Sequence, residues 1–184
     1  MNAGVTASRY AKAFLSFVTE AGTGEKVYSQ AGSLGYMLES VPQLREIILK
    51  HDEVPLSSKV ELVSAALGEP AAGELVRFME LVTENRRMEF FHRMLWSFIA
   101  QYRKAHNIKV GSLVTAVQDD DLRESLEDIF HAKTCCEVHF KTSVDPELIG
   151  GFVFELDGRR LDASVRSKLD RIRRQLVDES SRLV

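Results

Sequence analysis

The sequence predicts a mainly α-helical protein, with an N-terminal six-helix bundle in residues 1–106 and a small α+β domain in residues 107–184. Apolar residues recur at helical spacing through roughly the first hundred positions, which indicates amphipathic helices packed on one another. From Asn107 onward, stretches rich in β-branched residues alternate with helical patterns, as is typical of a small mixed sheet. This change of pattern places the domain boundary near residues 104–108.

Three helices are predicted before residue 50. The first lies in SRYAKAFLSFV, with Ser8 as its expected N-cap, and its apolar face contains Tyr10, Ala13, Phe14, Phe17 and Val18. A second helix is predicted over about residues 25–41, where Gly32 and Gly35 indicate close approach of another helix. Pro42 opens the third helix, because proline is tolerated in the first turn.

The next three helices complete the predicted bundle. The stretch LSSKVELVSAALG ends at Gly68. Pro70 is expected to open a fifth helix, which Asn85 ends as a left-handed cap and whose apolar face contains Leu75, Phe78, Met79 and Val82. The longest helix is predicted from Arg87 to about His106, with apolar residues three and four apart.

The C-terminal half reads as strand, helix, strand, hairpin and helix. The strands are predicted in IKVGSLVTAVQ and CCEVHFKTSV, on either side of the acidic helix DDDLRESLEDIF. In the second strand, alternation places Cys136, Val138 and Phe140 on one face. A final helix begins near Ser164, capped by that serine or by Asp162.

The stretch LIGGFVFELDGRRLDASV combines a Gly-Gly pair with alternating apolar residues. Its Gly150-Gly151 pair matches neither a dinucleotide-binding fingerprint nor a P-loop, because a strand and not a helix N-terminus follows it. Asp157-Gly158 is a favoured two-residue hairpin turn. We therefore predict that Gly150, Gly151, Asp157 and Gly158 turn the backbone and hold no ligand.

No residue pattern in the chain indicates an enzyme, a cofactor or a metal site. The five histidines show no metal-ligand spacing, and adjacent Cys135 and Cys136 point to opposite faces of a strand. The pair His51-Asp52 is interpreted as a loop pair. No apolar run reaches the roughly 18 residues of a membrane span, and no secretory signal is recognisable, so the protein is expected to stay where it is made.

Nucleic-acid binding is the alternative that the C-terminal cations suggest. Seven of them crowd this end of the chain: Arg159, Arg160, Arg166, Lys168, Arg171, Arg173 and Arg174. However, the net charge is −3; residues 1–106 hold 12 basic and 12 acidic side chains, and residues 107–184 hold 12 and 15. Because a nucleic-acid binder needs a clearly basic domain, a solvated face or a docking face for an acidic partner is the favoured interpretation.

Three blocks of the chain form a distinctive set: ASRYAKAF at residues 7–14, LVTENRRMEFFHRMLWSFIAQY at 81–102 and IGGFVFELDGRRLDASVRSKL at 149–169. The second block has an E-N-x-R core at Glu84, Asn85 and Arg87. Together the three blocks resemble the delta subunit family of F-type ATP synthases, which is related to the mitochondrial oligomycin-sensitivity-conferring protein. The resemblance implies a non-catalytic stator subunit without cofactors, peripheral to the cytoplasmic face of a bacterial inner membrane.

The resemblance also implies two protein partners. The N-terminal domain would bind N-terminal segments of the α subunits of the catalytic head, through a groove formed by Tyr10, Phe14, Phe17, Leu75, Phe78, Met79 and Val82. The C-terminal domain would bind the ends of the b-type stalk subunits through Val165, Arg166, Leu169, Ile172 and Arg173. The competing interpretation is that the groove residues are simply core. Phe78 and Met79 test it, because neighbouring large apolar residues on a helix are not both expected to face inward.

Overall fold

The computed structural model describes residues 3–49, 54–134, 136–156 and 158–182. The chain divides into two compact units, Met1–Ala105 and His106–Val184. The division falls one residue before the end of the predicted N-terminal domain. Within the described ranges, no helix is both long enough and apolar enough to cross a membrane.

The described part of the first unit is helical. Its helices are α1 (Ala3–Ala21), α2 (Gly24–Ser40), α3 (Pro42–Leu49), α4 (Leu56–Leu67), α5 (Gly73–Glu84) and α6 (Phe91–Ala105), with a 3-10 turn at Met88–Phe90. Pro42 opens α3 as predicted, and Gly68 ends α4 with φ of +71°. A left-handed glycine is a common helix end because it carries no Cβ.

Several predicted helix ends are wrong. Ser8 lies inside α1, which begins at Ala3. Asn85 has an ordinary φ of −80°, and Arg86 takes the left-handed conformation with φ of +53°. The Asn85 side chain instead donates a hydrogen bond to the Leu81 carbonyl oxygen at 2.7 Å. The predicted longest helix is split by the 3-10 turn, so that α6 has 15 residues and α1 has 19.

Helix α5 begins at Gly73 and not at Pro70, because a buried glutamine holds the preceding segment in another conformation. Gln30 of α2 is 2% exposed, and its Nε2 donates to Glu69 Oε1 at 2.6 Å and to the Pro70 carbonyl oxygen at 3.1 Å. The Ala72 amide donates to Gln30 Oε1 at 2.8 Å. Buried polar groups are normally paired in this way.

The core of the first unit surrounds α6, which packs against α1 and α2. The ring of Phe14 in α1 contacts Phe98 in α6 with centroids 4.7 Å apart. A Cβ at Gly35 would lie 3.4 Å from the Trp96 ring, so the predicted close approach at Gly35 is confirmed. The same prediction for Gly32 is wrong, because nothing lies within 4 Å of a Cβ there.

The second unit contains a four-stranded sheet and two α-helices in its described residues. Its elements are β1 (Ile108–Thr115), α7 (Asp120–Thr134), β2 (Glu137–Val144), β3 (Phe152–Leu156), β4 (Arg159–Asp162) and α8 (Val165–Arg182). The strand order is β2-β1-β3-β4. Strands β1 and β2 are parallel and joined through α7, whereas β3 pairs antiparallel with both β1 and β4.

One face of this sheet forms the core of the second unit. Leu113, Val138, Phe140 and Leu156 are buried there, with Phe130 of α7 packed against them. The predicted alternation in β2 is confirmed, since Val138 and Phe140 are buried while Glu137, His139 and Lys141 are exposed. The predicted class, mainly helical with a small C-terminal sheet, is confirmed as well.

Candidate partner-docking surfaces

The described residues contain no group of three or more His, Cys, Asp or Glu side chains that could hold a metal ion. His51, Asp52 and Cys135 lie outside the described residues. Cys136 is half-buried against the core of the second unit.

Most of the predicted groove residues of the first unit are buried. Five of them are at most 4% exposed: Phe14, Leu75, Phe78, Met79 and Val82. The expectation that either Phe78 or Met79 faces outward is wrong. Phe78 stacks on Phe14 of α1 and lies near Phe91, and α5 also contacts α2 and α4. A helix enclosed on several sides buries a wide arc of its surface.

Two of the predicted groove residues reach the surface of α1. Phe17 is 36% exposed, and Tyr10 is half-buried. The Arg87 guanidinium lies 5.5 Å from the centre of the Tyr10 ring, a favourable cation–π distance. Arg87 lies three residues after the end of α5, and Phe14 stacks on Phe78 of α5. These two contacts place the Tyr10 and Phe17 side of α1 beside α5.

Leu81 belongs to the same region and was not found from the sequence. It lies three residues after Phe78, so the two side chains are neighbours on one side of α5, and it is 45% exposed. In the helical pattern of α5, Leu81 is an apolar residue on the polar face. Its place in the proposed groove follows only from the position of α1. We call Tyr10, Phe17 and Leu81 the α1–α5 strip.

In the second unit, α8 presents an exposed apolar row at spacings of four, three and four. Its members and their exposed fractions are Val165 36%, Leu169 51%, Ile172 50% and Leu176 61%. Such a row is the face that an amphipathic helix buries against a partner. Single exposed leucines are common on protein surfaces, whereas a continuous exposed apolar row indicates an interaction site. We call these four residues the α8 row.

The charged residues predicted for the same surface lie beside the α8 row. Arg166 donates to Glu147 Oε2 at 2.8 Å, and both side chains are more than half exposed. Arg173 is exposed. An exposed ion pair contributes little to stability, so Arg166 remains able to exchange Glu147 for a carboxylate of a partner.

The N-terminus of α8 is held by a network of serines around one aspartate. Ser164 Oγ accepts the Ser167 amide at 3.2 Å, which is the predicted cap. Asp162 Oδ1 accepts the Ser164 amide at 3.0 Å and its hydroxyl at 2.7 Å, and Oδ2 accepts the Ser167 hydroxyl at 2.7 Å. The hydrogen bonds from Ser167 and Ser164 lower the pKa of Asp162 to about 2.

The predicted turn glycines lie where backbone turns occur. Gly151 has φ of +75°, and a Cβ there would lie 2.4 Å from the Ala163 carbonyl oxygen. A Cβ at Gly150 would lie 3.1 Å from Val165 Cγ2. Gly158 has φ of +73° in the turn between β3 and β4, while Asp157 lies outside the described residues. The two glycines at 150 and 151 thus bring the chain against the start of α8.

Comparison with known proteins gives one consistent result. The family model described as ATP synthase delta (OSCP) subunit matches residues 6–176. ATP synthase subunit delta of Phocaeicola vulgatus is 39% identical over 186 residues, and that of Bacteroides thetaiotaomicron is 34% identical over 192, each alignment covering 100% of both chains.

The fold is also similar to a solved structure. A chain in the cryo-EM structure of the Toxoplasma gondii mitochondrial ATP synthase hexamer has a TM-score of 0.58 and 20% identity. The similarity covers 93% of this chain and 97% of that one. The alternative of nucleic-acid binding through the C-terminal arginines gains no support from any of these comparisons.

Proposed function

This chain belongs to the ATP synthase delta (OSCP) subunit family, a non-catalytic component of the peripheral stalk, and we propose that it links the catalytic head to the b-type stalk subunits. The head-binding part is a bundle of α1–α6 in the first unit, and the stalk-binding part is the second unit. The observation that carries the proposal is that each unit has an exposed apolar helix surface among its described residues, the α1–α5 strip in the first and the α8 row in the second.

The proposed head-binding surface is the α1–α5 strip. An amphipathic helix can place apolar anchors in a groove between two host helices, and here Phe17 and Leu81 are the exposed anchors beside buried Phe14 and Phe78. The proposed occupant is an N-terminal segment of an α subunit. A few apolar anchors suit a lasting contact, because most differences in affinity lie in the dissociation rate.

Titration with a labelled peptide that copies the N-terminus of the α subunit tests this surface. We expect Phe17→Asp and Leu81→Asp to weaken binding by about tenfold or more, as loss of an apolar anchor does. Leu62→Asp is the matched control, because Leu62 of α4 is also 36% exposed. Unchanged affinity in both strip variants would place the groove elsewhere. Met79→Asp is unsuitable, because Met79 is fully buried and its replacement would unfold the unit.

The proposed stalk-binding surface is the α8 row together with Arg166 and Arg173. Its apolar side chains have the spacing of a helix-in-groove contact, and the flanking arginines favour a stalk segment that carries carboxylates. Titration with the C-terminal segment of the b-type subunit tests it. Leu169→Asp and Ile172→Asp should abolish saturable binding, whereas Val117→Asp, at an equally apolar and 74% exposed position of the same unit, should not.

The proposed location is the cytoplasmic face of a bacterial inner membrane, with membrane contact only through the rest of the complex. A brace of this kind stops the head from rotating with the central shaft, so its removal should uncouple ATP turnover from ion pumping. Membrane vesicles carrying the synthase, stripped of this subunit and then given it back, test the role. Pumping of the coupling ion, proton or sodium, should be lost and restored, while ATP hydrolysis continues. Full pumping without the subunit would overturn the proposal.

A further inference from the structure

A concave surface of the C-terminal unit lies on its sheet, and no described residue of α8 lines it. It is a cleft of about 650 Å³ lined by Lys109, Phe130, Phe154, Leu156, Arg159, Arg160 and Leu161. It exists because α7 packs against β2, at one edge of the sheet, while β3 and β4 lie toward the other edge. We call it the sheet cleft.

The floor of the sheet cleft is apolar and ordered. Phe154 and Leu161 are directly opposite each other on β3 and β4, so their side chains share a face. The Phe130 ring meets Phe154 edge to face, with centroids 5.2 Å apart and planes at 83°. Leu161 is nevertheless 50% exposed. The floor is thus held by aromatic contacts but is not covered by the described part of the chain.

The rim of the sheet cleft is cationic on the same face. Arg159 of β4 is paired with Leu156 of β3, so the two side chains share a face of the sheet. Lys109 lies four residues before the buried Leu113 on β1, so its side chain is on that same face. Arg159 is exposed. Arg160 completes the rim from the other face, where Glu155 is opposite it. No acidic side chain is among the described residues that line the cleft.

We propose that the sheet cleft binds an acidic amphipathic segment of a partner protein. An apolar side chain of that segment would enter between Phe130, Phe154 and Leu161, and one of its carboxylates would accept hydrogen bonds from Arg159. The apolar floor argues against a simple anion such as phosphate, and the cationic rim supplies the charge complementarity that selects an acidic segment. This site is separate from the α8 row, and the proposal does not rest on docking of the stalk there.

Fluorescence anisotropy on the full-length protein tests the site with a defined probe. The probe is a labelled synthetic peptide in which one leucine and one phenylalanine are flanked by glutamates. The control peptide has glutamine in place of each glutamate. We expect the acidic peptide to bind about tenfold more tightly, because charge-assisted hydrogen bonds are the stronger ones. Equal affinity for the two peptides, or no saturable binding of the acidic one, overturns the proposal.

Single-residue variants test whether the acidic peptide binds in the sheet cleft. Arg159→Glu should weaken the acidic peptide by at least about tenfold, Arg159→Gln by less, and Leu161→Asn should weaken both peptides. Lys26→Glu on α2 makes the same change of net charge at an exposed position outside the sheet cleft and the α8 row, and it should leave the affinity within about twofold, since exposed charges away from a site are screened. Equal weakening by the Lys26 and Arg159 reversals would mean unspecific attraction. Tighter, Arg159-dependent binding of a single-stranded oligonucleotide would replace the peptide site by a nucleic-acid site.

Discussion

The ring of Phe14 stacks on the ring of Phe78, with centroids 4.1 Å apart and planes inclined by 11°. This contact joins α1 to α5 and is buried on both sides. The two helices predicted to form a groove for a partner therefore pack against each other through Phe14 and Phe78. What is left for a partner is the outer margin of that contact, where Phe17 and Leu81 lie.

Replacement of Phe14 and of Phe17 should therefore have different consequences. Phe14→Ala removes a fully packed ring and should lower the free energy of unfolding by about 3–5 kcal/mol. Phe17→Ala, at a position that is 36% exposed, should lower it by about 1 kcal/mol or less. Denaturant unfolding followed by the fluorescence of Trp96, the single tryptophan, measures both. Equal losses of unfolding free energy in the two variants would contradict the assignment of Phe14 to the core and of Phe17 to the α1–α5 strip.

The sequence was a good guide to helix and strand type and a poor guide to which apolar residues remain exposed. Pro42, Gly68 and Ser164 act through groups within a few residues, so local chemistry predicts them. Burial of both Phe78 and Met79 depends on α1, α2 and α4, and the start of α5 depends on Gln30, which is 42 residues before Ala72. Such contacts leave no local pattern.

The candidate surfaces divide in the same way. Three members of the α8 row, Val165, Leu169 and Ile172, were among the stalk-binding residues that the family resemblance implied, and their helical spacing is visible along a single helix. The sheet cleft was not, because it depends on the register of Phe154 with Leu161 and on how far α7 extends over the sheet. Leu81 likewise needs the position of α1. Surfaces made by one element can be predicted from its sequence, whereas surfaces made between elements require the fold.

Gly151 should tolerate alanine less well than Gly158 does, although both have positive φ. Gly158→Ala meets nothing within 4 Å and should cost only the left-handed backbone penalty, about 1–2 kcal/mol. Gly151→Ala adds a contact of 2.4 Å to the Ala163 carbonyl oxygen, which the backbone must move to relieve. Amide hydrogen exchange of β3 and of the first turn of α8 measures the difference. Equal protection in the two variants would show that this turn is not tightly packed.

Acid should weaken the start of α8 through Asp162. The pKa of its carboxyl is lowered to about 2 in the folded chain from an ordinary 3.8, so the charged form is the one that the fold favours. Its stabilising effect is complete above pH 3.8 and is lost as the pH falls through about 2. Amide exchange of residues 165–168 between pH 5 and pH 2 should show this loss. Asp162→Asn should be less protected at pH 5 and nearly independent of pH, and an unchanged acid profile in that variant would assign the effect to another carboxyl.

His92 should make the first unit less stable in mild acid. Burial lowers the pKa of His92 below the ordinary 6.5, and the charges of Arg45 and Arg93 lower it further. The Glu39 carboxylate raises this pKa, but its effect is smaller than that of burial. The Trp96 indole N–H donates to His92 Nε2 at 3.0 Å, which requires that this nitrogen carry no proton. The stabilisation is therefore complete above pH 6.5 and is lost as the pH falls through the lower, folded value.

Denaturant unfolding at pH 7.5 and pH 5.5, followed by Trp96 fluorescence, measures this effect. Wild type should unfold at a lower denaturant concentration at pH 5.5, because the unfolded chain takes up the proton more readily than the folded one. His92→Gln should remove most of the difference. His106→Gln serves as the control, since His106 is exposed, and should keep the difference. If His92→Gln retains the full dependence on pH, His92 is not the titrating group that matters.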